Sequence, residues 1–335
     1  MDMTIREETE NREREYLSPY ASRSCDSKGR RNPEDKCDIR TEYQRDRDRV
    51  IHSKSFRRLK DKTQVFLSPD GDHYRTRLTH TLEVSQIART MAKALRLNED
   101  LTEAIALSHD LGHTPFGHAG ERALNEVCDL GFRHNEQSVR VIECLEKDGR
   151  GLNLTEEVLD GVLNHETHLM PSTLEGKCVR LADKIAYTYH DMDDAVRAGI
   201  LEDRIPESIS SLLGDNAKAR LNFLVHDVIT FSEGKADVGL SPAAAEALMD
   251  LRKFMNDNVY TNPEAKSEEG KAEGLVKTLF SYYMENIDKL PGYLLKKLEE
   301  NENEQVIVCD FIGSMTDRYA ISCYSELYIP KTWHG

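Results

Sequence analysis

Ser108-His109-Asp110-Leu111-Gly112-His113-Thr114-Pro115-Phe116-Gly117-His118-Ala119-Gly120-Glu121 packs three histidines, two carboxylates and three glycines into one short segment. What flanks it decides the fold. Upstream, Asn98 precedes Glu99 and Asp100, a helix cap followed by acids where the helix dipole favours them. Leu101, Ala104, Ile105 and Ser108 then recur at helical spacing, so a helix runs into the His109-Asp110 pair and ends before Gly112. Pro115 breaks the ladder, and a new helix starts near Gly117. An adjacent His-Asp pair at a helix end can put an imidazole and a carboxylate on one divalent ion.

Working outward, Leu78 to Leu97 reads as a helix with Leu82, Ile87, Met91, Ala94 and Leu95 on one side. Further helices are expected over 134–145, over 155–165 with Thr155 as cap, and over 174–198. Others are expected over 212–231, 242–256 and 275–287. Ser68 to Asp72 and Glu202 to Glu207 read as turn and loop, and Asn262 to Gly270 as a flexible connection. Residues 306–329 fit either short strands or a helical hairpin. From Arg40 to Phe66 a basic amphipathic pattern carries Val50, Ile51, Phe56, Leu59 and Val65. The fold class expected is all-α: a polar arm over 1–40, a helical core over 41–200, and a helical part over 201–335 packed on it.

The 335 residues are enough for an ample core, and a net charge of −15 makes non-specific nucleic-acid binding through bulk charge unfavourable. Seven scattered cysteines with no Cys-x-x-Cys pair fit a reducing cytoplasm. The charged N-terminus has no apolar stretch of the kind a signal peptide needs, and no run approaches a membrane span, so a cytoplasmic protein with no membrane partner is expected.

His80 lies one turn into its helix and Asp183 lies on a later one. With His109 and Asp110, helices can bring these residues to one metal ion. His118 and Glu121 are one helical turn apart, so the carboxylate can hold the imidazole in one tautomer, as an oriented general acid requires. His113 sits on the other side of the Pro-Phe-Gly turn, and His134 stands evenly between a structural and a functional reading. Lys54, Arg57, Arg58, Lys60 and Lys62 form a basic run, part of it a solvated face. Arg77, three residues before His80, suits a phosphate oxygen near the ion. Lys184 adjoins Asp183 and reads as a reach to a distal phosphate. Asp183, Tyr187 and Asp191 share one helical face at a spacing of four and four.

These residues, with Leu17 to Ala21, Phe56 to Leu59, Arg77 to His80, His109 to His118, Leu181 to Tyr187, His190 to Ala195 and Met315 to Ala320, carry a resemblance. The chain resembles, almost end to end, the bacterial dGTPase-like family of HD-domain deoxynucleoside triphosphate triphosphohydrolases. The resemblance implies hydrolysis of a dNTP, dGTP or several, to deoxynucleoside and inorganic triphosphate. It implies His80, His109, Asp110 and Asp183 as metal ligands, and His118 with Glu121 as the catalytic pair. Arg77, His113, Lys184 and Tyr187 would hold the triphosphate, with His134 beside them, and Tyr187 would lie against the sugar. Gln64 and Asp191 would receive the 3′-hydroxyl, and a Tyr near C2′ would exclude ribonucleotides. Arg318 would touch phosphate from the C-terminal part or from a neighbouring subunit.

The cofactors implied are Mn, Fe, Co, Ni or Zn at the His-Asp site and Mg with the triphosphate. The partners implied are a dNTP substrate, a nucleotide effector or single-stranded DNA, and further copies of the chain in a hexamer or dimer-based homo-oligomer. A competing reading is an HD-type nucleotide phosphatase or phosphodiesterase, which would release no inorganic triphosphate. Another is a nucleotide-sensing or nucleic-acid-binding regulator, which would show salt-sensitive single-strand binding.

Overall fold

Asn98 caps its helix as its sequence predicts: its side chain accepts from the Asp100 and Leu101 N–H groups, and the helix Glu99–Ser108 follows. The computed structural model describes residues 3–64, 75–197, 199–201, 205–260 and 263–331. Among the described residues regular structure is helical throughout, apart from isolated bridges pairing Arg30 with Thr155 and Thr63 with Thr76. The all-α expectation holds. The turn expected at Ser68 to Asp72, the apolar positions Val65 and Phe66, and part of the Glu202 to Glu207 loop lie outside the described residues.

The chain folds as two units, each assembled from separated segments. One takes Met1–His52, Thr79–His109 and Asn153–Asn262. Its centre is the helix Glu99–Ser108, packed by Glu42–Ile51, Glu156–Leu163 and Leu174–Arg197. Tyr43, Val50, Leu101, Ile105, Val158, Val162, Val179 and Ile185 fill that core. Gly161 permits a close approach, since a Cβ there would stand 2.6 Å from Ile105 Cδ1.

The polar N-terminal segment is held in this unit by hydrogen bonds. Thr4 and Glu7 form a reciprocal cap on the helix Ile5–Tyr16. The buried Glu175 carboxylate accepts from the Ser22 N–H, the Ser22 hydroxyl and the Asn98 N–H, each at 3.0 Å. Thr155 stands at the helix start as expected, but its hydroxyl makes no cap. It donates to buried Asp46 at 2.6 Å, and Asp46 also pairs with Arg30. A buried carboxylate left without donors costs heavily, and Thr155 supplies both its N–H and its hydroxyl to Asp46.

The other unit takes Ser53–Leu78, Asp110–Leu152 and Pro263–Gly335. Here Gly117–Val127 packs on Pro263–Glu285, which in turn meets Glu304–Gly313 and Asp317–Tyr328. Leu124, Phe132, Val276, Leu279, Ile307, Val308 and Ile312 form its core. Residues 306–329 therefore span the two helices Glu304–Gly313 and Asp317–Tyr328, and the strand reading falls. The flexible connection expected at 262–270 is corrected: a helix begins at Pro263, whose fixed φ suits a first turn.

The stripe expected on the helix Arg77–Ala94 is also corrected. Val84, Ile87, Ala88 and Met91 are buried, whereas Leu82 is half exposed and Ala94 is exposed. The buried face is a patch of adjacent turns that includes the small Ala88, narrower than the stripe expected. Among the described residues no helix is long and apolar enough to cross a membrane.

Candidate functional site

In the first unit, His109 is the C-cap of Glu99–Ser108 and stands next to His80. Its Nδ1 lies 2.6 Å from the Ala106 carbonyl oxygen. That geometry makes Nδ1 the donor and leaves the Nε2 lone pair for another partner. His80 Nε2 is 3.1 Å and His109 Nε2 3.8 Å from the same oxygen, Asp183 Oδ1. Burial alone would raise the Asp183 pKa, but the His80 hydrogen bond and the neighbouring imidazoles hold it well below the usual range. Two imidazole nitrogens converging on one carboxylate oxygen are a donor set that fits a first-row divalent ion.

Two further histidines border this group. His165 lies edge-on to His109 at 5.1 Å between ring centroids, and His190 lies 6.0 Å from His80. Sequence reasoning assigned neither a role. His165 repeats the His109 geometry, with Nδ1 2.7 Å from the carbonyl three residues back, Val162. A histidine at the end of an apolar helix was the signal that could have marked it.

Further along Leu174–Arg197, burial and the charges of Arg180 and Arg252 push the Lys184 ammonium down to about 8. These cations favour an anion nearby. Tyr187 stacks on Tyr260, 5.5 Å between centroids at 24°, and the Tyr260 hydroxyl donates to buried Asp191. Tyr260 was missed, because it ends a short π-helical turn at Asn256–Tyr260 beside a segment read as loop.

In the second unit, Arg77 and Asp110 are both buried and paired, with Nη1 2.8 Å from Oδ2. Phe116 adopts a left-handed conformation (φ 62°) as the N-cap of Gly117–Val127, which places His118 in the first turn of that helix. Glu121 Oε2 is 3.1 Å from His118 Nδ1, while Oε1 accepts from the His134 N–H at 2.8 Å and meets His134 Nδ1 at 2.9 Å. Burial would raise the Glu121 pKa, yet these histidines hold it far below the carboxylate range. His113 stacks on His134 at 4.5 Å and lies edge-on to His118 at 5.1 Å.

The side chain of His118 is 55% exposed, whereas His113 is wholly buried. Burial, then Arg77 and His134, push the His113 imidazole well below its usual pKa, so it is neutral. Donor atoms of His113, His118, Glu121 and His134 lie within 4.8 Å of one another, so this group also has the makings of a metal site. Gln64 Oε1, Arg77 Nε and His113 Nδ1 are buried without a hydrogen-bond partner among the described residues. Unsatisfied buried polar atoms are uncommon in native structures, and three of them gather around this turn. Arg318, expected at phosphate, is exposed at the start of Asp317–Tyr328.

Known proteins match this chain throughout. The HD domain model matches residues 77–188 and the phosphohydrolase-associated domain model matches 238–326. The deoxyguanosinetriphosphate triphosphohydrolase-like protein of Caldanaerobacter subterraneus subsp. tengcongensis is 56% identical, covering 99% of this chain and 98% of the relative. Its counterpart in Desulfatibacillum aliphaticivorans is 49% identical, covering 98% of this chain and 99% of that protein. A solved phosphohydrolase from Bacteroides thetaiotaomicron shares the fold, at TM-score 0.52 and 16% identity, over 84% of this chain and 67% of that one. With converging imidazole and carboxylate groups on an HD-domain fold and relatives this similar along their whole length, the chain belongs to the deoxyguanosinetriphosphate triphosphohydrolase-like family of metal-dependent HD-domain phosphohydrolases.

Proposed function

We propose that this enzyme hydrolyses deoxynucleoside triphosphates to deoxynucleoside and inorganic triphosphate. The observation that carries the reading is the His118–Glu121 contact at 3.1 Å, with the imidazole open to solvent and the carboxylate ionised. A divalent ion held by His80, His109, Asp110 and Asp183 would polarise a phosphoryl oxygen and make a water acidic enough to attack near neutral pH.

Arg77, His113 and Lys184 hold the triphosphate, Arg77 through a guanidinium that suits phosphate oxygens. Neutral His113 can donate from one nitrogen without adding a repelling charge to Arg77. Tyr187, with Tyr260 stacked on it, floors the sugar and crowds C2′. Gln64 and Asp191 receive the 3′-hydroxyl. Breaking the bond between the α-phosphorus and the 5′-oxygen leaves an alkoxide, a poor leaving group. His118 gives it a proton, and Glu121 keeps the ring aimed. His134, doubly bonded to Glu121, fixes that carboxylate in turn.

The test is incubation with each of the four dNTPs and Mn²⁺ or Mg²⁺, with products resolved. Deoxynucleoside and inorganic triphosphate in equal amounts are expected. Release of orthophosphate or of a nucleoside monophosphate would instead assign the chain to the phosphatase or phosphodiesterase reading.

A further inference from the structure

The Met315-Thr316-Asp317-Arg318 stretch has no role in the mechanism above, yet Asp317 is 7% exposed and accepts hydrogen bonds from Phe116 in the histidine loop and from Thr63. An Asp at a helix start ordinarily caps the helix. Here Thr316 does that, its side chain accepting from the Tyr319 N–H at 3.2 Å. Asp317 is left to bond elsewhere. Its Oδ1 accepts from the Phe116 N–H at 2.9 Å, and its Oδ2 accepts from the Thr63 N–H at 2.9 Å and from the Thr63 hydroxyl.

Those acceptors join two short segments. Thr63 precedes Gln64, and Phe116 precedes Gly117 and His118. Phe116 and Gly117 are consecutive left-handed residues (φ 62° and 56°), a conformation that disfavours the Phe side chain and needs support from outside the loop. There is no slack at this turn: a Cβ on Gly117 would stand 3.1 Å from Arg77 Nη2 and 3.3 Å from the Gln64 carbonyl oxygen. Lys62 anchors the other end of the loop, donating through Nζ to the His113 carbonyl and to the Gly313 carbonyl at 2.8 Å.

We propose that Asp317 is a positioning residue: it holds Phe116 in its left-handed turn and ties it to Thr63, setting His118 against Gln64. It touches no substrate and acts through the backbone. The kinetic half of the proposal rests on the function proposed above, but the geometric half does not. Misplacement of reacting groups by about 1 Å costs on the order of 100-fold in rate.

The experiment compares Asp317→Ala, Asp317→Asn and Thr63→Val with the wild-type holoenzyme. It reads kcat and KM for a dNTP, metal content, thermal midpoint, and ¹H–¹³C spectra of the histidine Cε1 groups. Asp317→Ala is expected to lower kcat by roughly 10- to 100-fold per folded, metal-loaded chain. The His113 and His118 resonances should move while those of His168 and His226 stay put. Asp317→Asn, which keeps one acceptor, should fall between Ala and wild type, and Thr63→Val should lose least. Adding Thr63→Val to Asp317→Ala should cost little more, because the two act through one contact. Unmoved His113 and His118 resonances in Asp317→Ala would overturn the proposal, as would a kcat that falls only in proportion to the folded fraction. If the wild type turns over no dNTP, the proposed function fails, and the histidine spectra still decide for or against Asp317.

Discussion

His134 and Glu121 are joined twice, the main-chain N–H and ring Nδ1 of His134 both meeting Glu121 Oε1 and leaving Oε2 for His118. A glutamine in place of Glu121 can present an oxygen to one histidine only. His118→Ala is therefore expected to lower kcat by about 10²–10⁴-fold with metal retained. Glu121→Gln should lose less, because Gln can still orient one ring. Steady-state kinetics with metal analysis check both. Loss of metal in His118→Ala would make His118 a ligand, and full activity would move the proton donor elsewhere.

The shared Asp183 oxygen sets the expectation for metal. Purified protein should hold about one tightly bound divalent ion per chain. Asp183→Ala and His109→Ala should remove it, because each takes away one of the atoms converging at 3.1–3.8 Å. Asp110→Ala tests the remaining proposed ligand, and full metal occupancy in that variant would strike Asp110 from the set.

Tyr260 bonded to Asp191 predicts sugar discrimination. Tyr260→Phe keeps the stack on Tyr187 but removes the hydroxyl from the carboxylate. Hydrogen bonds to charged groups contribute about 1.5–3 kcal/mol, so kcat/KM for a dNTP should fall by roughly tenfold or more. Dideoxynucleotides should be poor substrates of the wild type, since a site that bonds a hydroxyl loses heavily without it. Equal turnover of dGTP and GTP would contradict the pocket and leave the metal site standing.

Lys62 predicts a pH dependence of stability. Burial first, then the nearby Arg58, push its ammonium down to about 7 from 10.5. Between those values the unfolded chain keeps the proton while the folded chain gives it up. Unfolding therefore takes up a proton there, and stability rises with pH from about 7 to 10.5 through this group. Below pH 7 both states are protonated and the contribution is flat. Denaturant unfolding of wild type and Lys62→Met across pH 6–10 isolates it. The wild type should gain on the variant by up to a few kcal/mol as pH rises, at about 1.4 kcal/mol per unit. A constant difference would mean that the ammonium stays charged when buried.

The sequence by itself determined what acts over a few residues. Asn98 before two acids set one helix start, a new helix began at Gly117 just past Pro115, and the His109-Asp110 pair fell at a helix end because apolar spacing stopped there. The His118–Glu121 contact follows from one turn of helix. Tertiary structure alone decided contacts between residues far apart in the chain. Tyr260 reaches Asp191 across 69 positions and Asp317 reaches Phe116 across 201, and no local periodicity encodes either. It also decided why Gly112 must be glycine: a Cβ there would stand 2.2 Å from the Ser138 backbone nitrogen. Thr155 had the right residue type for a cap, but the hydrogen-bonding need of buried Asp46 took its hydroxyl instead. Helix propensity and capping are short-range and readable, whereas the burial of polar groups depends on what the rest of the chain brings against them.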